Sequence, residues 1–70
     1  MKLVAIFRST RDTIKADRLC RENGLSCKVI PVPKEISSEC GVALEFSTED
    51  EEKASALLTK ESVRYSFHRI

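Results

Sequence analysis

Tryptophan is absent from this 70-residue chain, and its aromatic residues are three phenylalanines and one tyrosine. That is too few for a row of stacking platforms, so recognition of unpaired bases on aromatic faces is not expected. Gly24 and Gly41 are the only two glycines, which excludes a glycine-rich phosphate loop built from many converging backbone N–H groups. One histidine and three cysteines, with no Cys-x-x-Cys pair, do not supply the close four-ligand spacing of a structural zinc site, so no metal is expected. An odd number of thiols cannot pair fully within one chain, which argues against a disulfide scaffold and for a reducing compartment. No apolar run approaches the roughly 20 residues of a membrane-spanning helix. The strand-like Leu3-Val4-Ala5-Ile6-Phe7 follows Met1-Lys2 directly, so no signal peptide is expected. The expected location is the cytoplasm, with no membrane partner.

Charge is balanced overall at +1 but uneven along the chain. Residues 1–35 carry eight basic and four acidic side chains, and residues 36–70 carry four and seven. A nucleic-acid binder shows a stronger basic excess than this. The excess falls mainly on the first helical segment, where a solvated face accounts for it, and no nucleic-acid partner is expected.

What remains is a single domain, residues 1–70, near the lower size limit for a self-sufficient core. Lys2 to Arg8 reads as a strand apolar on both faces. Ser9-Thr10 is the helix N-cap candidate; with Ser9 as cap, Asp12 stands at the third helical position. The helix is expected from about Arg11 to Glu22, with Thr13, Ala16, Leu19, Cys20 and Asn23 on its inner face. Asn23-Gly24 then provides a left-handed stop. Ser26 to Val32 is a second strand, placed at a sheet edge because Pro31 cannot donate to a ladder. A polar loop over Pro33–Glu39 leads into a third strand, Gly41–Phe46, with Val42, Leu44 and Phe46 alternating inward.

Thr48-Glu49-Asp50-Glu51 reads as a capping box opening a second helix, with a Glu49–Lys53 pair and Ala54, Leu57 and Leu58 facing inward. A last strand, Ser62–Arg69, alternates with Val63, Tyr65 and Phe67 inward. The order β-α-β-β-α-β predicts the ferredoxin-like α+β fold, a four-stranded antiparallel sheet with both helices on one face. The alternative is another α+β layering of the same elements.

Among reactive groups, Cys20 on the inner helical stripe reads as a small buried hydrophobe, and Cys27 as a structural residue beginning the edge strand. Ser9, Ser37, Ser38 and His68 fix no nucleophile–base triad, and His68 reads as a surface residue. Cys40 stands apart, at the exit of the polar loop and beside a glycine that cannot shield it. The predicted topology brings that loop to the N-terminal end of the first helix. Unpaired backbone N–H groups there, with Arg8, Arg11 and Lys34 nearby, would favour a thiolate or a bound anion; Glu35 and Glu39 oppose this.

The segment from Pro31 to Phe46, PVPKEISSECGVALEF, follows the pattern P-x-P-[RK]-x-I-S-x-x-C-G-x-A-L-x-F. It resembles the signature of a small bacterial family of Se/S carrier-like domains of unknown function. Phe7-Arg8-Ser9-Thr10 also fits that family, so the likeness spans nearly the whole chain. Lys34 stands where arginine is more usual, and Glu45 where many members are basic. The Cys-Pro-x-Pro motif of better-known sulfur carriers is absent.

The resemblance implies that Cys40 accepts sulfur or selenium as a persulfide or selenosulfide. Gly41 would be its companion, with Ser9, Thr10, Lys34 and Ser37 as further binding positions. It implies a carrier rather than a catalyst, without a cofactor, served by transient donor and acceptor proteins; no oligomeric state follows. Two other readings stand beside it. One is a non-catalytic interaction or ligand-binding module, and the other a thiol redox sensor in which Cys40 is oxidised.

Overall fold

Leu3, Val4 and Ala5 are all buried, as expected of a strand enclosed on both sides, and they form the middle of β1 (Lys2–Ile6) in the computed structural model. The structure describes residues 2–36 and 41–69. After β1 the chain turns into helix α1 (Thr10–Glu22), where the Ser9 hydroxyl accepts the Asp12 backbone N–H at 3.2 Å. That bond satisfies one of the otherwise unpaired donors of the first turn. Thr13, Ala16 and Cys20 make up the fully buried stripe of α1. Leu19 is half-buried, and Asn23 lies outside the stripe: it is exposed and caps the helix end by donating its side-chain amide to the Leu19 carbonyl at 2.8 Å.

Both helices end in the same way. At α1, Gly24 adopts φ +77° while the Leu25 N–H reaches the Cys20 carbonyl at 2.8 Å and the Gly24 N–H reaches that of Arg21 at 3.2 Å. This is the Schellman arrangement, and it turns the apolar Leu25 back into the core. Helix α2 (Glu51–Lys60) repeats it, with Val63 N–H to Leu58 carbonyl at 2.9 Å and Ser62 N–H to Thr59 carbonyl at 3.1 Å. Here the left-handed position is Ser62, at φ +59°. The expected strand Ser62–Arg69 is therefore shorter. Ser62 and Val63 belong to the helix stop, and β4 comprises Ser66–Arg69.

The start of α2 also differs from the sequence expectation. Thr48–Asp50 form a single 3₁₀ turn, capped by the Ser47 hydroxyl accepting the Glu49 N–H at 3.4 Å. Asp50, the N-cap of α2, makes no side-chain capping bond. Glu49 thus precedes the α-helical turns, out of the i,i+4 alignment with Lys53, and the two form no ion pair among the described residues.

Strands β2 (Cys27–Pro31) and β3 (Val42–Ser47) complete one four-stranded sheet in the order β2-β3-β1-β4, with every neighbouring pair antiparallel. This is the ferredoxin-like α+β fold. Pro31 indeed lies on an edge strand, where its missing N–H costs no central ladder bond. Leu3, Leu44 and Leu58 are the largest fully buried side chains and join sheet to helices. Phe7 and Phe46 are buried in the same core, leaving no phenylalanine of the two central strands to serve as a stacking platform on the open face.

Candidate functional site

The ladder fixes which loops meet. Ile6 of β1 and Ile30 of β2 both face Ala43 of β3, and Ser66 of β4 faces Ile6. The exits of β1 and β2 and the entries of β3 and β4 therefore lie at one end of the sheet. The N-terminus of α1, four residues beyond Ile6, begins at that same end.

At this end the β2–β3 connection closes on a left-handed glycine. Gly41 is exposed at φ +83°, and its carbonyl accepts the Val32 N–H at 3.2 Å, one step beyond the Pro31–Val42 pair. Positive φ is the conformation that costs an L-residue about 1–2 kcal/mol and glycine little. The Ile36 N–H donates to the Pro33 carbonyl at 3.0 Å, forming a turn that carries the exposed Lys34. Of the expected site residues, Gly41, Lys34, Ser9 and Thr10 are thus brought to one end of the molecule. Ser9 serves the helix there: its hydroxyl holds the Asp12 N–H, and its carbonyl accepts the Thr13 N–H and hydroxyl, both at 3.1 Å. Thr10 opens α1 and is exposed. Cys40 and Ser37 lie outside the described residues.

The other two thiols sit elsewhere, in a cluster that sequence spacing does not reveal. The Cys27 thiol donates to the Asp17 carboxylate at 3.2 Å, and Arg21 Nε donates to both oxygens of that carboxylate at 3.0 and 3.2 Å. Burial first, and then the bond to Asp17, push the Cys27 thiol up to about 12. Cys20, fully buried beside Cys27, is also pushed above the ordinary thiol value, mainly by burial. Asp17, Cys20 and Arg21 share one side of α1, and the turn at Gly24 folds Cys27 back against them. Cys27 faces Phe46, five residues along β3 from Gly41 and so about 17 Å away at strand rise.

Tyr65 is a further residue whose setting the sequence does not disclose. It precedes β4, its hydroxyl lies 2.6 Å from the Ser55 hydroxyl and 3.3 Å from that of Thr59, and its ring packs 4.7 Å from that of Phe67. These hydrogen bonds lower its pKa. Among the described residues no group of three His, Cys, Asp or Glu side chains could hold a metal ion, and no helix is long and apolar enough to cross a membrane.

Residues 2–68 match the family model described as "Putative Se/S carrier protein-like". The match spans almost the entire chain, and the protein belongs to that family. No curated protein and no solved structure matched it.

Proposed function

We propose that this protein carries a sulfur or selenium atom on Cys40. The observation that carries the reading is the family match over residues 2–68, whose span includes the Cys40-Gly41 pair. The chemistry of the other thiols supports it by contrast. A chalcogen acceptor has to be reachable and must react as a thiolate. Cys20 is fully buried, and Cys27 is held protonated against Asp17.

In the loading step, the Cys40 thiolate attacks the outer sulfur of a donor persulfide. A new S–S bond forms at Cys40, the donor's S–S bond breaks, and the donor leaves as a thiolate; no net oxidation occurs. Delivery repeats the exchange with an acceptor nucleophile. The protein then acts as a cytoplasmic carrier with transient protein partners, and the donor enzyme performs most of the chemistry.

Incubation with a cysteine desulfurase and cysteine, followed by intact-mass measurement, tests this reading. A sulfur adduct on wild type that disappears in Cys40→Ser is expected. Wild type that stays free of adduct while still forming partner complexes would instead identify a non-catalytic interaction module.

A further inference from the structure

The two large apolar side chains exposed among the described residues, Ile14 at 60% and Val29 at 43%, belong to different elements but to one flank of the molecule. Val29 stands opposite the buried Leu44 in the ladder, so it lies on the helix side of the outer strand β2. The Cys27 thiol meets the Asp17 carboxylate at 3.2 Å, which seats α1 along this strand. From that contact toward the Gly41 end, Ile14 is one helical turn away, about 5 Å. Val29 is two strand residues away in the same direction, about 7 Å. The two side chains therefore stand level with each other.

The backbone of β2 is open on the same flank. The Val32 N–H donates to the Gly41 carbonyl, so Val32, Ile30 and Lys28 turn their backbone groups into the β2–β3 ladder. Cys27, Val29 and Pro31 turn theirs outward, and such an edge is a template for another strand. This edge is complementary to itself in one register. With Val29 opposite Val29 of a second copy, the valines exchange both hydrogen bonds, and each Cys27 N–H reaches the other copy's Pro31 carbonyl. Only the Cys27 carbonyls, facing a proline, go without a donor. A register centred on Lys28 sets two ammonium groups directly opposite. One centred on Ile30 puts Pro31 opposite Val29 and removes the donor to the Val29 carbonyl. Charge on the helices agrees with the Val29 register: an axis through Ile14 brings the exposed Arg11 of one copy level with Asp17 of the other.

We propose that the β2 flank is the interface of a homodimer. Two copies pair antiparallel through Cys27–Pro31 about Val29, their sheets continue as one, and Ile14 and Val29 of each copy cover those of the other. One short strand and one facing helix give a contact at the low end of specific interfaces, about 1,200 Å² in total. The dimer is therefore weak and set by concentration. Its two-fold axis sends the Gly41 ends of the two copies in opposite directions, so both stay open. The proposal stands on the edge geometry and is independent of the carrier reading.

Sedimentation equilibrium of the full chain, with a reducing agent present to exclude intermolecular disulfides, tests the proposal. A monomer–dimer equilibrium is expected between about 10 µM and about 1 mM. Val29→Pro removes an outward-facing donor and no donor of the β2–β3 ladder, and should weaken dimerisation about tenfold or more. Ile14→Lys should do the same by placing a charge in the contact. Glu52→Lys, exposed on α2, should change it less than about twofold, the scale of screened long-range charge. In ¹⁵N spectra, concentration-dependent shifts are expected at residues 11–18 and 27–31. A chain that stays monomeric at about 1 mM, or a dimer unweakened in an Ile14→Lys/Val29→Pro protein of native circular dichroism, overturns the interface. Equal weakening by Glu52→Lys, or shifts confined to residues 66–69, which place the contact on β4, overturns it as well.

Discussion

Replacing Gly41 with alanine isolates the backbone requirement beside the candidate thiol. An added Cβ meets nothing within 4 Å, so no steric clash confuses the result, and the residue's φ of +83° is the whole perturbation. Forcing an L-residue into the left-handed region costs about 1–2 kcal/mol. The reduced freedom of the unfolded chain returns roughly 0.5–1 kcal/mol. A net loss of about 0–1.5 kcal/mol, centred near 0.75, is expected, which for a domain of this size lowers the midpoint of thermal unfolding by about 3–6 °C. Urea unfolding followed by circular dichroism measures it, with an unchanged slope expected because the surface exposed on unfolding is the same. Gly41→Asn should recover part of the loss, since asparagine tolerates the left-handed region. The Val32 amide, bonded to the Gly41 carbonyl, should exchange faster in Gly41→Ala. A Gly41→Ala protein as stable as wild type, with Val32 still protected, would refute a fixed left-handed residue closing this loop.

Ser62→Gly should do the reverse, raising stability by about 0.5–1 kcal/mol in the same urea assay, because Ser62 occupies φ +59° at the stop of α2. Leu58→Ala, which empties a fully buried position, should cost about 2–4 kcal/mol, a large fraction of the whole stability of a 70-residue domain. The Cys27 thiol is raised in the folded state, so its contribution to stability is complete below the unfolded thiol value near 9.0 and is lost as pH rises from there toward about 12. After allowance for screening of a partly exposed group, the loss is about 1–2 kcal/mol. Alkaline denaturation of wild type and Cys27→Ala measures it as the difference between their pH profiles. With iodoacetamide at pH 8, Cys40 should label first and Cys20 and Cys27 much more slowly; faster labelling of Cys20 than of Cys40 contradicts the site assignment.

Local chemistry was enough to determine the element order, because each signal acts within a few residues. Ser9 caps α1 through a bond to Asp12, Gly24 stops the helix by adopting positive φ, and Pro31 removes a ladder donor and so goes to an edge. The buried stripe of Thr13, Ala16 and Cys20 and the alternation of Leu44 and Phe46 with Glu45 were legible for the same reason. The local signals misled where a residue was used against its type. Serine is a poor residue for a left-handed helix stop, so Ser62 read as the start of a strand. The Schellman bonds to Thr59 and Leu58, with Val63 drawn into the core, hold it there instead. Ser47 took over the capping that Thr48 was expected to perform, because a 3₁₀ turn precedes α2.

The candidate site divides along the same line. The Cys40-Gly41 pair could be picked out from its motif and its flanking polar loop, and the topology then places Gly41 at the α1 N-terminal end. The Asp17–Cys27–Cys20 cluster could not be found that way. Asp17 and Cys27 come together because the turn at Gly24 folds β2 back along α1. Local propensity acts over one turn or one strand, whereas the meeting of distant side chains is decided by which strands share a ladder and where that ladder stops.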